Sequence, residues 1–363
     1  MKKKLNKTTL LRFILLTLSG TFLTGNVFPQ EILLKDYRPK SIYNIPVTRI
    51  EKAAFPVIDM HSHAYATSPL EIDRWVEAMD SCGIQKTVIL TGATGAEFDS
   101  IVRAYSKHSD RFDLWCGFDY TGYNTPAFPA SAVKELERCH RMGAKGVGEL
   151  GDKGYGELYS TPVAGVGLHI DDYRMKPLLR KCAELNMPVN IHIADPIWMY
   201  EKTDSTNDGL MNALDWKIDP DQPGLLDLDE LVITLENAVR ENPNTIFIAC
   251  HFANLMHDMG RLGAMLDKYP NLYADVSARY AETATIPRHM RAFFEKYQDR
   301  LVYGTDMGTD AEMYRTTFRI LESEDEHFYC IGQFNYHWPL QGFGLSPKIL
   351  SKLYNQNAAK ILK

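Results

Sequence analysis

The chain has 363 residues and a formal net charge of −6, with 45% hydrophobic and 24% charged residues. That balance belongs to a globular protein with a large buried core. Its scattered lysines and arginines argue against a nucleic-acid partner, and the length suits one α/β barrel.

Residues 1–30 stand apart from the rest. Lys2, Lys3, Lys4 and Lys7 make a positive start, and Phe13 to Leu18 form the centre of a short apolar stretch. Ser19, Gly20, Thr21, Thr24, Gly25 and Asn26 follow, the layout of a secretory signal peptide. An apolar stretch of roughly ten residues is short for a bilayer span. The expectation is a signal peptide over 1–30, an exported chain (periplasmic or secreted), and no stable membrane insertion after its removal. Residues 31–363 are expected to form a single domain. The six cysteines are widely spaced, the first is Cys82, and none forms a CxxC pair. Buried free thiols are expected rather than a thiolate zinc site.

After an irregular lead-in over 37–55, short apolar runs alternate with amphipathic stretches. Strands are predicted at 57–60, 87–90, 114–118, 146–150, 189–193, 246–250, 272–276 and 301–303. Helix-like stretches between them include 70–82, 131–142, 172–185, 228–240, 261–269 and 287–297. Such alternation builds βα units and a parallel sheet. Eight strands, with no Gly-rich phosphate loop after the first, predict a closed (β/α)8 TIM barrel, regular or distorted, rather than an open sheet. Long loops at 151–170 and 195–226 follow strands 4 and 5, on the face where barrel active sites lie. A C-terminal helical extension from Gly344 to Ile361 is expected to pack across the outside of the barrel.

Chemistry concentrates at the strand ends. In Pro56-Val-Ile-Asp-Met-His61-Ser-His63, alternation puts Asp59, His61 and His63 on one face, aimed into the barrel, and two imidazoles at this spacing can hold a divalent ion. Glu149 lies at the end of the fourth predicted strand, His192 of the fifth, His251 of the sixth and Asp306 of the eighth. Ionisable groups ending apolar strands are costly to bury alone; six converging on one rim predict a metal site.

Three segments carry a family resemblance: Val57-Ile-Asp-Met-His-Ser-His63, Leu301-Val-Tyr-Gly-Thr-Asp306 and Leu353-Tyr-Asn-Gln-Asn-Ala-Ala359. In these, and in the order of its site residues from Pro56 to the final helix, the chain resembles the amidohydrolase superfamily. Within it, the likeness is to the amidohydrolase-related branch that includes aminocarboxymuconate-semialdehyde decarboxylase-like proteins. The resemblance implies that His61, His63, His192 and Asp306 belong to the metal site, with His251 a ligand of a second ion or a catalytic neighbour. Gly148-Glu149-Leu150-Gly151 resembles the bridging carboxylate of binuclear relatives such as deoxyribonuclease-like metalloenzymes. Glu149 is open to a second reading as a histidine-orienting or substrate-binding group, and Lys145 is a carbamate-forming alternative. The expected cofactor is a divalent metal ion, zinc first and manganese second, with one or two per chain.

Asp306 is the expected proton acceptor, His251 the oxyanion or second-metal group, and Asp59 the residue that orients a ligand histidine. Weaker substrate-contact candidates are Arg279, Trp198 and Tyr65, followed by Trp216 and Tyr280; His337 and Trp338 lie in a stretch that could cover the site. The expected partner is a small molecule, and a homo-oligomer is left open. The leading activity is hydrolysis of an ester, lactone, amide or related bond. The alternative is non-oxidative decarboxylation of an aromatic or unsaturated acid, followed by phosphoester cleavage. A barrel that binds metal without catalysis is the remaining reading.

Overall fold

The computed structural model describes residues 32–158, 163–219, 221–334 and 336–363. The signal peptide expected at 1–30 lies outside the described residues. One compact body spans Arg38–Lys363; before it, Leu34–Asp36 make one 3-10 turn. No helix among the described residues is long and apolar enough to cross a membrane.

Eight parallel strands form the barrel: β1 (Val57–Ser62), β2 (Ile84–Leu90), β3 (Phe112–Trp115), β4 (Val147–Asp152), β5 (Val189–Ile193), β6 (Phe247–Ala249), β7 (Leu272–Asp275) and β8 (Leu301–Val302). Ladders join β1-β2-β3 and β4-β5-β6-β7-β8. Two seams complete the ring. A Cys116–Val147 bridge links the end of β3 to β4, and Met60 N donates to Tyr303 O (2.9 Å) between β1 and β8. The barrel is therefore closed but distorted at two places.

The strand side chains divide between two cores. Val57, Ile89, Leu114, Leu150, Ile191, Phe247, Ala274 and Leu301 belong to the larger core, with the surrounding helices. Ile58, Met60, Val88, Leu90, Trp115, Ile248 and Val302 form a separate cluster with Ala358 and Ile361. The C-terminal helix Asn357–Ile361 thus closes the barrel's inner core, where the sequence reading placed the tail on the outside. An apolar interior open at one end exposes surface worth roughly 25 cal/mol per Å2 to cover. A π turn at Lys352–Gln356 precedes this helix, and within it Leu353 O accepts Tyr303 N (3.0 Å), pinning the tail to the end of β8.

Helix caps follow the local sequence. Pro69–Cys82 begins with a Ser68/Glu71 capping box and ends on Gly83 at φ 84°; Leu228–Glu241 begins with an Asp227/Glu230 box. Helices Gly95–Tyr105 and Ala311–Glu322 add to those read from the sequence. The two long connections follow β4 and β5, and the second carries a 3-10 turn, Ile197–Met199, and a short helix, Leu210–Asp215.

Candidate metal centre

Each strand end needs a local device to aim its side chain. In β1 the ladder slips: Asp59 pairs with Thr87 but Ser62 with Ile89, three residues against two. This bulge breaks the alternation expected for Asp59, His61 and His63, because an inserted residue re-aims the side chains beyond it. Met60 joins the inner core while its neighbour His61 reaches the centre. Asp59 does not orient an imidazole. Its Oδ1 accepts from His61 N (3.2 Å) and Thr305 N (3.1 Å), and its Oδ2 from Thr305 Oγ1 (2.7 Å), clamping β1 to the segment before Asp306. Burial pushes its carboxyl up to about 7 against the Thr305 and His61 bonds. A second bulge, between Val147 and Leu150, aims Glu149 from β4.

At β8, Asp306 takes a left-handed φ of 54° and its N donates to His61 O (2.9 Å). Only a glycine fits at 304, where a Cβ would lie 2.7 Å from the Cβ of His61. After β6, His251, Phe252, Ala253 and Asn254 are all left-handed, with φ between 54° and 58°. This conformation costs roughly 1–2 kcal/mol per non-glycine residue, so other contacts must hold it. His251 N donates to Asp275 Oδ1 (2.9 Å), and Asn254 Nδ2 donates to Ile193 O and Ala194 O (both 3.0 Å).

Four histidines present a lone pair to one centre. The Nδ1 of His61 lies 2.9 Å from Asp275 Oδ2, that of His63 2.8 Å from Leu90 O, and that of His251 3.0 Å from Ser277 O. These partners accept, so each Nδ1 carries the proton and each Nε2 is left as a ligand atom. His192 is reversed. Its Nε2 lies 3.5 Å from Asp195 Oδ1, and its Nδ1 lies 3.0 Å from Glu149 Oε1. Asn254 Nδ2 has its hydrogens on the two carbonyls, so its 3.4 Å approach to His192 Nε2 is contact only.

Two carboxylates meet these lone pairs. Glu149 Oε1 lies 3.7 Å from His61 Nε2 and 3.4 Å from His251 Nε2, while Oε2 lies 3.3 Å from His63 Nε2. Asp306 Oδ1 lies 3.1 Å from His63 Nε2; its Oδ2 lies 3.9 Å from His61 Nε2 and 3.7 Å from His251 Nε2. Lone pairs facing carboxylates are stable only around a positive species. The same demand shows in the proton affinities. Burial lowers the His63 pKa, but hydrogen bonds to Asp306 and Glu149 and their charges outweigh it, to about 11; His192 reaches about 9 against burial through Asp195 and Glu149. Burial raises the Glu149 carboxyl, and the facing imidazoles, His61 foremost, carry it well below the usual range. His61 is raised despite burial by Asp275, Asp306 and Glu149, whereas burial leaves His251 low.

The donor set fits a divalent metal. His61 Nε2 is buried with no hydrogen-bond partner, which a coordinate bond would supply. Among the described residues, His61-Glu149-His251 and His61-His63-Asp306 each bring three ligand atoms together. A third set, His61-Cys250-Asp275, is spoken for by hydrogen bonds: Asp275 accepts from Ser277 N (3.1 Å), Ser277 Oγ (2.5 Å) and Asn190 Nδ2 (3.3 Å) besides its histidine contacts.

All six predicted metal-site residues therefore come together. Of the weaker candidates, only Tyr65 reaches them, its hydroxyl donating to Asp306 Oδ1 (2.9 Å). Arg279 Nε donates to Asn254 Oδ1 (2.9 Å) and its Nη1 lies 3.6 Å from buried Glu282. Trp198 packs against Trp338 and Tyr336, whose rings stack at 4.2 Å. His337 stands edge-on to Trp338. Tyr280 is buried and donates to Gly304 O, which makes it a support of β8. Trp216 is exposed on its loop. Lys145 is exposed beside Lys86 and Asp113 rather than at the centre, so it is no carbamate ligand.

Sequence reading missed Asp275, Ser277, Asn254, Asp195 and Lys153. Asp275 ends an apolar strand, the signal that marked Glu149 and Asp306. Asn254 and Ser277 carried none, since their roles depend on the turns that present them.

A closed barrel whose strand ends gather imidazoles and carboxylates defines a metal-dependent barrel enzyme. The chain belongs to the amidohydrolase family, whose profile matches residues 58–363. No curated protein matches it in sequence. Among solved structures it is similar to a dihydroxybenzoic acid decarboxylase from a Polaromonas species with bound manganese (15% identity, 85% of this chain and 97% of that one, TM-score 0.54). It is similar also to a 5-carboxyvanillate decarboxylase from Novosphingobium aromaticivorans complexed with manganese (15%, 87% and 99%, 0.52). A TIM-barrel protein from Bordetella bronchiseptica shares the fold (14%, 84% and 98%, 0.51). At these identities the likeness is one of fold.

Proposed function

We propose that this amidohydrolase-family enzyme hydrolyses an ester, lactone, amide or related bond of a small molecule. The observation that carries the reading is Glu149, whose two oxygens serve different histidines: Oε1 faces His61, His192 and His251, and Oε2 faces His63. This donor set would suit two ions, and a single four-coordinate zinc would leave ligands to spare. His61, His63 and Asp306 would hold one ion, His192 and His251 the other, with Glu149 between them; zinc is the first choice and manganese the second.

A divalent ion held by these residues would supply Lewis acidity, lowering the pKa of water towards roughly 7 and polarising a carbonyl. The protein's own residues do the rest. Asp306, one-fifth exposed, accepts the proton of the attacking water as its oxygen bonds to the carbonyl carbon. It then returns that proton to the leaving oxygen or nitrogen as the scissile bond breaks. The Tyr65 hydroxyl holds Asp306 Oδ1 in place, and the buried His251 remains neutral for coordination.

Decarboxylation of an aromatic or unsaturated acid is the second reading. It is favoured by the fold likeness to solved decarboxylases. The deciding experiment incubates metal-loaded enzyme in 18O-water with a panel of lactones, esters, amides and hydroxybenzoates. Incorporation of one 18O into a carboxylate product, lost by about 10²–10⁴ in kcat in Asp306→Asn, is the expected result. Release of CO2 without 18O incorporation establishes the second reading.

A further inference from the structure

The metal centre does not use Lys153, yet the barrel geometry brings it to the mouth of the site. Beyond the bulge in β4, residues alternate: Glu149 faces the centre, Leu150 joins the outer core, and Asp152 turns away to His169 (2.7 Å). Gly151 therefore follows Glu149 on the inner face. Gly151 pairs with His192 on β5 and has no side chain to fill the space above the centre. Lys153 is the first residue after β4. Its Nζ lies 3.0 Å from Asp195 Oδ1, and that oxygen is also 3.5 Å from His192 Nε2. The ammonium also lies 5.2 Å from the ring centroid of Trp216, which is 61% exposed. A cation, a shared carboxylate and an open indole thus stand together on the rim, where the two long loops meet.

We propose that Lys153 is a specificity-determining residue that binds a carboxylate of the substrate, with Trp216 offering a flat apolar surface to the portion beside it. The substrate class is an acyl compound carrying a carboxylate several ångströms from the scissile bond. This assignment rests on the hydrolase reading for its chemistry, though not for its test. Asp195 holds the ammonium ready in the free protein, and an arriving carboxylate shares it. A lysine ammonium is a point charge with three donors, so it can serve both oxyanions.

The test is calorimetric binding to the metal-loaded full chain of terephthalate, which carries two carboxylates across a ring, against benzoate, which carries one. Wild type is expected to bind terephthalate at least tenfold more tightly. Lys153→Met is expected to remove that preference, a loss of about 10- to 100-fold as for a charge-assisted hydrogen bond, while benzoate binding stays unchanged. Lys153→Arg keeps the charge and should keep the preference. Lys153→Gln replaces the Met variant if that one fails to fold. Absence of a preference in wild type, its survival in Lys153→Met, or an equal loss for both ligands overturns the proposal. If terephthalate preference depends on Lys153 but no panel ester is hydrolysed, the hydrolase reading falls and the rim site stands.

Discussion

Asp275 shows how one buried side chain can govern a centre it does not enter. Its Oδ2 takes the Nδ1 proton of His61 and its Oδ1 the backbone N–H of His251, so ligands from two strands depend on one carboxylate. Burial raises its pKa, but the charge and bond of His61 bring it down to about 2, so it stays an acceptor throughout the working pH range. Asp275→Asn is nearly isosteric but puts an NH2 where only donors approach. If that amide faces His61, the ring proton moves to Nε2 and blocks the lone pair at the centre. Metal affinity is expected to fall about 10- to 100-fold, the usual effect of losing such a partner, with circular dichroism unchanged. Competition against a chromophoric chelator measures it. An unaltered affinity would show that the backbone, not Asp275, sets the imidazole.

Among the elements, the turn after β6 carries four consecutive left-handed residues, His251 to Asn254, held by side-chain bonds from Asp275 and Asn254. Asn tolerates a positive φ better than most residues, so Asn254 could be there for its backbone or for its amide. The two roles separate by substitution. Asn254→Gly relaxes the backbone yet removes the donors to Ile193 O and Ala194 O and the acceptor for Arg279. If the amide matters, Asn254→Gly and Asn254→Ala should both lose about 1–3 kcal/mol for each buried group left unsatisfied, read by denaturant unfolding. A harmless Asn254→Gly would assign the residue to backbone strain alone. The bulges of β1 and β4 obey the same logic: each gives up ladder regularity to aim a ligand.

For the whole molecule, closure of the barrel depends on its last residues. Ile361 is 3% exposed and belongs to the inner cluster with Ile58, Trp115 and Val302, and Asn357 Nδ2 caps Gln298 O and Leu301 O (both 2.8 Å). Ile361→Ala should therefore cost about 2–5 kcal/mol, as for an aliphatic side chain removed from a core. A tail lying on an outer surface would cost far less. Urea unfolding distinguishes the two, and a loss below about 0.5 kcal/mol, the range of ordinary surface substitutions, would place the tail outside the core after all.

The alternation of strands and helices, the barrel, and the six groups of the centre were all legible in the sequence. These are local signals: a strand announces itself by apolar residues, and an ionisable residue at its end is conspicuous because burial is costly. Strand β5 matches its expected range of 189–193, since the slip in its ladder with β4 puts the extra residue on the β4 side and leaves β5 unbroken. The remaining features emerged only from tertiary contacts. Asp59 left the face that alternation assigned to it because a bulge comes after it, and a bulge depends on the partner strand. The second contact of each imidazole, the left-handed turn at His251 to Asn254, and the place of Lys153 beside Asp195 and Trp216 depend on residues distant in the chain. The tail turned inward for the same reason: its apolar face reads alike on the outside or the inside of a barrel, and only the open inner core settles which surface it covers.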